Sequence, residues 1–268
     1  MKIVSVIFAA GRGSRMKDYA GNKTLLPLSP GKTPYEGHCP ILLHILAQLP
    51  PGPKAVIVNH AKEDVIQATE DMGVAYREQP ELNGTGGALL AAMDFLSSES
   101  AEIVIITMGD VPFVKEETYA RMTQSLEAHS LVVLGFTPKA RKQYGVLETN
   151  GKQVMKITEW KYWSRYPEEK KRGLRICNSG IYAVRGDVLL DILPVLASRP
   201  HVVQKEINGR MADVKEYFVT DMVEYVREAG FSTGYILAEN EEEVMGVDDL
   251  AALKRAQEIY GSGFQDTG

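Results

Sequence analysis

The stretch that decides the fold lies near the start of the chain and is Ile3-Val4-Ser5-Val6-Ile7-Phe8-Ala9-Ala10-Gly11-Arg12-Gly13-Ser14-Arg15-Met16. Its first six residues are mostly apolar and rich in β-branched side chains, which predicts a buried strand of a parallel sheet. Gly11 and Gly13 then remove Cβ atoms at positions where the backbone can approach a ligand closely. Arg12 and Arg15 add positive charge beside these glycines, so the loop suits a polyanion such as a triphosphate.

Other interpretations of this loop compete with a triphosphate site. An ordinary strand-to-helix turn with solvated basic residues would show the same Gly-x-Gly pattern, and the pattern alone does not separate the two. A dinucleotide-binding fingerprint requires a third glycine and an acidic residue on the second strand, but Met16 and Asn59 hold those positions. A Walker loop requires Gly-Lys-Ser/Thr after the turn, which this stretch lacks. The sequence therefore argues against both of these better-known nucleotide loops.

The loop resembles the signature of the sugar-nucleotide pyrophosphorylases, the sugar-phosphate nucleotidyltransferase family that includes bacterial N-acetylglucosamine-1-phosphate uridylyltransferase. Their pattern is Leu-Ala-Ala-Gly-x-Gly-Thr-Arg-Met followed by a lysine; here Ser14 keeps the hydroxyl of the threonine, and Lys23 is the lysine. The resemblance implies that Arg15 and Lys23 are catalytic. It also implies that the nucleotide is bound by Ala9, Ala10, Gly11 and Gly13.

Length and composition set the class of protein. With 268 residues the chain can bury a large core without disulfides. Cys39 and Cys177 lie far apart, outside any Cys-x-x-Cys spacing, which favours reduced thiols and a cytoplasmic protein. A net charge of −5 argues against a nucleic-acid partner, and no apolar segment is long enough for a signal peptide or a membrane span.

Strands and helices alternate through the first half of the chain, as is typical of a parallel sheet covered on both faces. After Ser130 the pattern becomes mixed, with a hairpin predicted to turn at Asn150-Gly151. The predicted strands are Ile3–Phe8, Ala55–Val58, Val74–Arg77, Ile103–Thr107, Leu131–Phe136 and Cys177–Val184. The predicted helices are about Pro40–Leu49, Glu63–Met72, Gly86–Leu96 and a last one ending near Tyr260.

Asp110 is the first candidate metal ligand. It follows a predicted buried strand directly, at the carboxyl end where open α/β sheets place their ligands. Mg²⁺ prefers oxygen ligands and is usually held by one or two carboxylates together with substrate phosphates. The competing interpretation is a turn or helix-capping aspartate, but the adjacent phosphate loop favours the metal.

A second candidate ligand lies near the end of the chain, in Glu243-Val244-Met245-Gly246-Val247-Asp248-Asp249. One of the two aspartates is expected to cap the helix that follows. The segment also resembles Glu-Val-x-Gly-Val-Asn-Asn of the uridylyltransferases, whose first asparagine is a metal ligand. Asp248 matches that position, so the resemblance implies that Asp248 binds Mg²⁺ together with Asp110.

Gln79, Gly84 and Thr85 are the candidate base-binding residues. They resemble the uridylyltransferase segment that contacts the uracil edge, and an amide side chain offers both a donor and an acceptor to a pyrimidine. The alternative for Gln79 is a surface position before Pro80. The resemblance implies that UTP or dTTP is the favoured triphosphate.

Three further matches concern the acceptor. Tyr144-Gly145-Val146 resembles the turn over the sugar, and the segments around Glu159 and Asn178 resemble those whose glutamate and asparagine bind sugar hydroxyls. The resemblance therefore implies that Gly145, Glu159 and Asn178 bind the sugar. Alternatively, Glu159 could pair with Lys161 at the surface, and Asn178 could satisfy backbone groups at a strand start.

The chain also departs from the family pattern. The family's tyrosine before Gly-Asp is Met108 here, and Gly86-Gly87 replaces the polar residue that follows Gly-Thr. The stretch Ser29–Cys39 is longer than in close relatives, and Trp160–Arg172 is predicted to be an aromatic and basic loop. The acidic run Glu239–Glu243 is predicted to be a solvated loop. Contacts near the sugar can therefore differ from those of the relatives.

Together these features predict an α/β protein with a Rossmann-like nucleotidyltransferase fold, a mostly parallel mixed sheet and a smaller sugar-binding β subregion. We expect one domain, with a nucleotide-binding half at about residues 1–135 and a sugar-binding half at about 136–268. The expected reaction is Mg²⁺-dependent transfer of a nucleotidyl group to a hexose or N-acetylhexosamine 1-phosphate, releasing pyrophosphate, by a monomer or small homo-oligomer. The alternatives are cytidylyl transfer to another alcohol phosphate such as phosphocholine, and a non-catalytic sugar-nucleotide sensor.

Overall fold

A computed structural model describes residues 1–13, 15–16, 18–207 and 210–263, so Ser14 lies outside the described residues. Its thirteen strands are β1 (Ile3–Phe8), β2 (Pro27–Pro30), β3 (Gly37–Pro40), β4 (Lys54–Val58), β5 (Ala75–Glu78), β6 (Ile103–Met108), β7 (Leu131–Phe136), β8 (Val146–Asn150), β9 (Gln153–Thr158), β10 (Cys177–Arg185), β11 (His201–Ile207), β12 (Arg210–Glu216) and β13 (Thr233–Leu237). All six predicted strands are therefore confirmed, within one residue at every end.

The α-helices of the described residues are α1 (Ile41–Gln48), α2 (Lys62–Thr69), α3 (Thr85–Ala91), α4 (Met93–Glu99), α5 (Glu116–Ser125), α6 (Trp160–Trp163), α7 (Glu168–Gly173), α8 (Gly186–Ser198), α9 (Met222–Glu228) and α10 (Leu250–Gly263). Three short 3₁₀ helices span Lys23–Leu25, Glu70–Met72 and Val219–Asp221.

Nine strands form one central sheet in the order β5-β4-β1-β6-β10-β7-β13-β9-β8. The strands β5, β4, β1 and β6 pair in parallel, and β7 pairs in parallel with β13. Between these two groups β10 runs antiparallel to both β6 and β7. The hairpin β8–β9 completes the far edge, and β8 also pairs with β10. The prediction of a mixed, mostly parallel sheet is confirmed.

The core lies on both faces of this sheet, because alternate residues of a strand point to opposite faces. In β1, Ile7 packs in the cluster with Leu42 of α1, whereas Val6 packs in the cluster with Leu89 of α3. Both faces of β1 are thus covered by helices. This double burial explains why its sequence is a nearly continuous apolar run.

The prediction of one continuous helix over Gly86–Leu96 is wrong. The structure has two helices, α3 and α4, which meet at Ala92. The Ala92 amide donates to the carbonyl oxygen of Leu89, three residues earlier, so the turn tightens there and the helix axis is interrupted. The turn predicted at Asn150-Gly151 is displaced by one residue. The β8–β9 loop is Gly151-Lys152, because Asn150 still pairs with Gln153.

The predicted loop Trp160–Arg172 is also wrong, since it contains α6 and most of α7. Trp163 anchors it: the side chain is buried, and its Nε1 donates to the Tyr144 carbonyl oxygen at 2.8 Å. Glu148 of β8 accepts hydrogen bonds from Tyr166 at 2.8 Å and from Thr158 at 2.7 Å. These tertiary contacts stabilise helices that are too short to form alone.

The Ser29–Cys39 stretch lies largely within the β2–β3 hairpin, which pairs only with itself among the described strands. It packs on α10, where the Gln257 side chain donates to the carbonyl oxygens of Pro27 at 2.9 Å and Pro34 at 2.8 Å. No described helix is both long enough and apolar enough to cross a membrane.

Candidate active site

The loop that follows β1 is anchored by Asn22, a residue that the sequence motifs do not include. Asn22 is fully buried, and its Nδ2 donates to the carbonyl oxygens of Ala9 at 2.7 Å and His60 at 2.9 Å. Its Oδ1 accepts from the Thr24 amide at 3.0 Å and the Thr24 hydroxyl at 2.8 Å. Asn22 therefore joins the glycine loop to the turn that carries Lys23. Its position beside the motif lysine is the only sequence signal for this role.

The glycine loop is buried where it leaves β1 and becomes exposed at Gly11. Ala9 and Ala10 are buried, whereas Gly11 and Arg12 are exposed. Gly13 has φ of +59°, a backbone conformation that glycine adopts at little cost, and the Met16 amide donates to its carbonyl oxygen at 2.8 Å. The loop thus folds back, with Met16 in the core.

Lys23 brings together the residues that the sequence placed in separate motifs. Its Nζ donates to Asp110 Oδ2 and, at 2.8 Å, to Asp248 Oδ1. The Arg15 guanidinium donates to Asp248 Oδ2 at 3.2 Å, and its side chain is 71% exposed. All four predicted polar residues of the phosphate end therefore form one connected cluster.

The electrostatics of this cluster follow from burial and mutual attraction. Burial opposes the charged form of Lys23, but Asp110 and Asp248 outweigh that effect and raise the pKa of Lys23. Burial also opposes the charged form of Asp248, yet Lys23, with a smaller contribution from Arg15, holds its pKa below the usual range. We therefore expect a charged lysine and a charged carboxylate at neutral pH.

Two local features place the carboxylates. Asp110 follows β6, and a Cβ on the preceding Gly109 would lie 2.8 Å from the Phe8 carbonyl oxygen, so β1 and β6 approach too closely there for a side chain. The Val247 amide donates to the Asp110 carbonyl oxygen at 2.8 Å and so fixes the chain just before Asp248. Asp249 caps α10, because its Oδ1 accepts from the Ala252 amide at 2.8 Å.

The donor set fits a magnesium ion. Asp110 Oδ2 and Asp248 Oδ1 both bind one cationic atom, Lys23 Nζ, so the two carboxylates already converge on a single positive charge. No group of three or more acidic, histidine or cysteine ligands occurs within the described residues. Two carboxylates with the remaining positions open to phosphates and water match the preference of Mg²⁺.

A cavity of about 330 Å³ adjoins the cluster. Its wall combines the glycine loop, the Lys23 turn, the end of β6 and the start of α3. The lining residues are Phe8, Ala10, Gly11, Arg12, Lys23, Thr24, Gln79, Leu82, Gly84, Thr85, Ala88, Met108 and Asp110. Seven of the predicted phosphate-binding and base-binding residues thus face a common space, whereas four others do not line it, namely Ala9, Gly13, Arg15 and Asp248.

Gln79 is buried in this wall, and hydrogen bonds fix the orientation of its side-chain amide group. Nε2 donates to Asn83 Oδ1 and to the Gly84 carbonyl oxygen, both at 3.0 Å. The described contacts include no hydrogen bond to Oε1. The donor half of the side chain is therefore used internally, and the acceptor half is available to a ligand.

Close backbone contact explains the glycines at the start of α3. Gly84 has φ of +97°, and a Cβ there would lie 2.3 Å from the Tyr217 carbonyl oxygen. The Gly86 amide donates to that same oxygen at 2.8 Å. Thr85 Oγ1 accepts from the Val219 amide at 3.2 Å, so its hydroxyl has a structural partner as well as a place in the cavity wall.

The predicted acceptor residues meet where three strands converge. Val146 of β8 pairs with Thr158 of β9 and with Cys177 of β10. Gly145, Glu159 and Asn178 each adjoin one member of this set in the chain, and the Asn178 amide donates to the Gly145 carbonyl oxygen at 2.9 Å. A Cβ on Gly145 would lie 3.3 Å from both carboxylate oxygens of Glu159, so the three are close neighbours.

Asn178 has a structural role at this point. Its Oδ1 accepts from the Gly180 amide at 3.1 Å, and its Nδ2 donates to the buried Tyr182 hydroxyl at 3.0 Å. These bonds stabilise an irregularity in β10, where the pairing with β7 shifts between Asn178 and Tyr182. Met108 lies against Gly180.

The charge of Glu159 is governed by burial. Burial, reinforced by Asp221, raises the pKa of Glu159, while Lys161 opposes the increase. Lys161 Nζ lies 4.8 Å from the Tyr162 ring centre and 5.5 Å from that of Phe218. Asp221 in turn accepts from His201 at 2.7 Å if the imidazole nitrogen carries a proton. His201 thus has a polar partner.

A larger cavity, of about 680 Å³, lies at the opposite edge of the sheet, where β6 begins and β10 ends. Two ion pairs lie at its rim: Arg185 with Asp187 at 2.6 Å, and the amino terminus with Glu102 at 3.7 Å. It contains none of the predicted site residues. We therefore place the functional site at the carboxyl edge despite the smaller cavity there.

Comparison with known proteins shows the family of the chain. The family model of the MobA-like NTP transferase domain matches residues 5–200. The bifunctional protein GlmU of Ruegeria pomeroyi is 30% identical over 265 residues, covering 97% of this chain and 53% of that protein. GlmU of Corynebacterium aurimucosum is 34% identical over 261 residues, covering 94% of this chain and 49% of that protein. The chain spans about half the length of the curated relatives it matches.

Solved structures share the fold. The UDP-N-acetylglucosamine pyrophosphorylase of Trypanosoma brucei superimposes with a TM-score of 0.73 at 13% identity, covering 95% of this chain and 64% of that one. A candidate glucose-1-phosphate thymidylyltransferase of Bacillus anthracis superimposes with a TM-score of 0.70 at 20% identity, covering 96% and 94%. These likenesses show a Rossmann-like nucleotidyltransferase fold.

Proposed function

The chain belongs to the family of MobA-like NTP transferase domains, and from this premise we propose that it transfers a nucleotidyl group from UTP or dTTP to a sugar 1-phosphate. The acceptor is a hexose or N-acetylhexosamine 1-phosphate, and the second product is pyrophosphate. The observation that supports this most directly is the contact of Lys23 with both Asp110 and Asp248 beneath the glycine loop. This arrangement collects opposite charges where a triphosphate and a metal ion would meet.

In the proposed reaction a phosphate oxygen of the acceptor attacks the α-phosphorus of the triphosphate. A new P–O bond forms as the bond to the departing pyrophosphate breaks, with the two oxygens in line. The backbone amides of the glycine loop and the Arg15 guanidinium stabilise negative charge on the reacting and leaving phosphates. No protein nucleophile is needed, since positioning and charge stabilisation suffice.

Asp110 and Asp248 would hold Mg²⁺, which when bound neutralises phosphate charge and orients the reacting oxygens. Lys23 would then turn from the carboxylates to phosphate oxygens, because its present partners would be engaged with the metal. Its flexible side chain and compact charge suit such an exchange. The 18% exposure of the Asp110 side chain leaves it accessible from the cavity.

The base preference is supported by Gln79. The N3–H group of uracil or thymine can donate to Gln79 Oε1, whereas cytosine presents an acceptor at that position. Because Gln79 Nε2 already binds Asn83 and Gly84, rotating the amide to suit cytosine would break two hydrogen bonds. This argues against the alternative of cytidylyl transfer to phosphocholine.

Glu159, Asn178 and Gly145 form the proposed sugar subsite, in the half of the domain at about residues 136–268. Replacing Glu159 by Ala should raise the KM for the sugar phosphate or lower kcat, with little change in triphosphate binding. Asn178→Ala should do the same but also reduce stability, because Asn178 bonds to Gly180 and Tyr182. If the Glu159 variant handles every sugar phosphate as the parent does, the subsite assignment fails.

The decisive experiment is pyrophosphate release across a panel of nucleoside triphosphates and phosphorylated acceptors. Release with UTP or dTTP and a hexose phosphate supports the proposal. Fastest release with CTP and phosphocholine would replace it by the alternative transferase. Tight binding of a sugar nucleotide with no pyrophosphate release from any pair of substrates would instead indicate a sensor.

Two free thiols, Cys39 and Cys177, are consistent with the cytoplasmic location that we also propose.

A further inference from the structure

Glu243 is a buried carboxylate that the proposed chemistry does not use. It is 3% exposed, although its segment is acidic and was predicted to be a solvated loop. Its Oε1 accepts from the Thr118 hydroxyl, and its Oε2 accepts from the Glu239 amide at 2.8 Å. Both carboxylate oxygens are therefore bound by neutral donors. A buried polar side chain is costly unless it is hydrogen-bonded, so its presence here suggests a specific task.

The helix that carries Thr118 packs against the core. Thr118 of α5 is 1% exposed, and the next residue, Tyr119, packs in the core. The Arg121 guanidinium donates to Thr118 Oγ1 at 3.2 Å and to the Leu237 carbonyl oxygen at 3.3 Å, where β13 ends. Glu243 thus ties the segment after β13 to a helix that is fixed against the sheet.

The same segment ends at the proposed metal ligand. Val244 and Val247 are buried on either side of the half-buried Met245 and Gly246, and the Val247 amide donates to the Asp110 carbonyl oxygen at 2.8 Å. Asp248 follows directly. The segment therefore has two attachments, one through Glu243 to α5 and one through Val247 to Asp110, and Asp248 lies just beyond the second.

We propose that Glu243 is a positioning residue for the metal site: it holds the 239–247 segment against Thr118 of α5, so that Asp248 faces Asp110. This inference rests on the proposed function, because it assumes that Asp110 and Asp248 bind the cation. Partners of metal ligands commonly set ligand orientation and affinity without touching the metal. Glu243 acts here through the backbone of its own segment.

Mn²⁺ binding tests the proposal without relying on turnover, because Mn²⁺ accepts the same oxygen ligands and is detected by electron paramagnetic resonance. Affinity would be measured in the presence of UTP for the parent, Glu243→Ala and Thr118→Val. We expect each variant to bind Mn²⁺ about 10-fold more weakly or worse. Excess Mg²⁺ should restore much of the lost turnover, and Glu243→Gln, which can still accept from the Glu239 amide, should lose less affinity.

Glu242→Ala is the matched control, since it removes an equal charge from the same turn at a side chain that is 47% exposed and paired with Arg255. It should leave Mn²⁺ affinity unchanged. If Glu243→Ala does not fold, Thr118→Val alone decides the question. A lower melting temperature with parental Mn²⁺ affinity in Thr118→Val, or in both variants, overturns the proposal and leaves Glu243 a purely structural residue. A parent that binds neither Mn²⁺ nor UTP would instead refute the proposed function.

Discussion

At the scale of single residues, the site depends on side chains that have more than one partner. Lys23 contacts carboxylates that lie 87 and 225 positions away in the chain. Asn22 uses both ends of its amide to join the glycine loop to the Lys23 turn. Such shared groups make the effects of single substitutions non-additive, because removing one member leaves another buried and unpaired.

Substitution of the carboxylates tests the metal site. We expect Asp110→Asn and Asp248→Ala each to reduce Mg²⁺-dependent turnover by about 100-fold or more, because each removes charge where the metal is held. Asp249→Ala is the control, since Asp249 only caps α10. It should lower the free energy of unfolding by about 1 kcal/mol while leaving the dependence on Mg²⁺ unchanged. Near-parental turnover of either Asp110 or Asp248 variant would remove that residue from the metal site.

Gln79 should set the preference among bases. Titration calorimetry with the common triphosphates is expected to show tighter binding of UTP or dTTP than of CTP, by about 1–3 kcal/mol, because the N3 acceptor of cytosine would replace the N3–H donor that Gln79 Oε1 accepts from. Gln79→Leu should reduce this difference and weaken UTP binding. Tightest binding of ATP or GTP by the parent would contradict the assignment.

At the scale of elements, the backbone at the start of α3 contacts the backbone of Tyr217 directly. The turn before the helix brings Gly84 and Gly86 against the Tyr217 carbonyl oxygen, and this contact joins the first half of the chain to the second. Side chains are excluded there by geometry. Gly84, which the sequence offered as a ligand contact, therefore also has a packing function.

Gly84→Ala should disrupt this junction. The backbone conformation with φ of +97° and ψ of 174° is essentially restricted to glycine and costs other residues about 1–3 kcal/mol, to which the contact with Tyr217 adds. We expect a lower melting temperature and weaker UTP binding. Gly261→Ala, in α10 with open space around the position, should be neutral or stabilising by up to about 1 kcal/mol. Equal melting temperatures for the two variants would argue against the close approach.

At the scale of the whole molecule, the proposed acceptor site contains a carboxylate, Glu159, whose burial should lower the free energy of unfolding at neutral pH. Burial raises the pKa of Glu159, with Asp221 adding to the effect. Burial also opposes the charged form of Glu148, but hydrogen bonds from Thr158, Tyr166 and Lys170 outweigh it and lower its pKa. The contributions of Glu148, in β8, and of Glu159, just after β9, to the free energy of unfolding should therefore change with pH in opposite directions.

Glu159→Gln should therefore stabilise the protein at neutral pH. A carboxyl group with a raised folded pKa favours folding below its unfolded pKa, about 4.3, and loses that contribution as pH rises through the folded pKa. Denaturant unfolding at pH 7.5 should give a larger free energy of unfolding for Glu159→Gln than for the parent. Near pH 4 the difference should shrink.

Glu148→Gln provides the opposite sign. Its lowered pKa contributes stability that is present above the unfolded pKa and is lost as pH falls through the folded pKa. This variant should be less stable than the parent at pH 7.5. Equal responses of Glu159→Gln and Glu148→Gln to pH would show that their environments do not differ in the way described.

The sequence by itself determined the features that local patterns encode. The apolar run Ile3–Phe8 predicted the central strand because a strand covered on both faces needs apolar residues throughout. The motifs around Gly11, Lys23, Asp110 and Asp248 predicted a nucleotidyltransferase fold, which the family match and the solved structures confirm. The roles of the individual residues remain predictions.

Only the tertiary structure decided how these groups are held. Local patterns cannot show that Glu243 is buried against α5, that the donor half of Gln79 is already used, or that Asp249 rather than Asp248 caps α10. The segment Trp160–Arg172 forms helices because Trp163 and Tyr166 are anchored by distant residues. The physical reason is common to all of these: each depends on contacts between residues far apart in the chain, and packing alone brings them together.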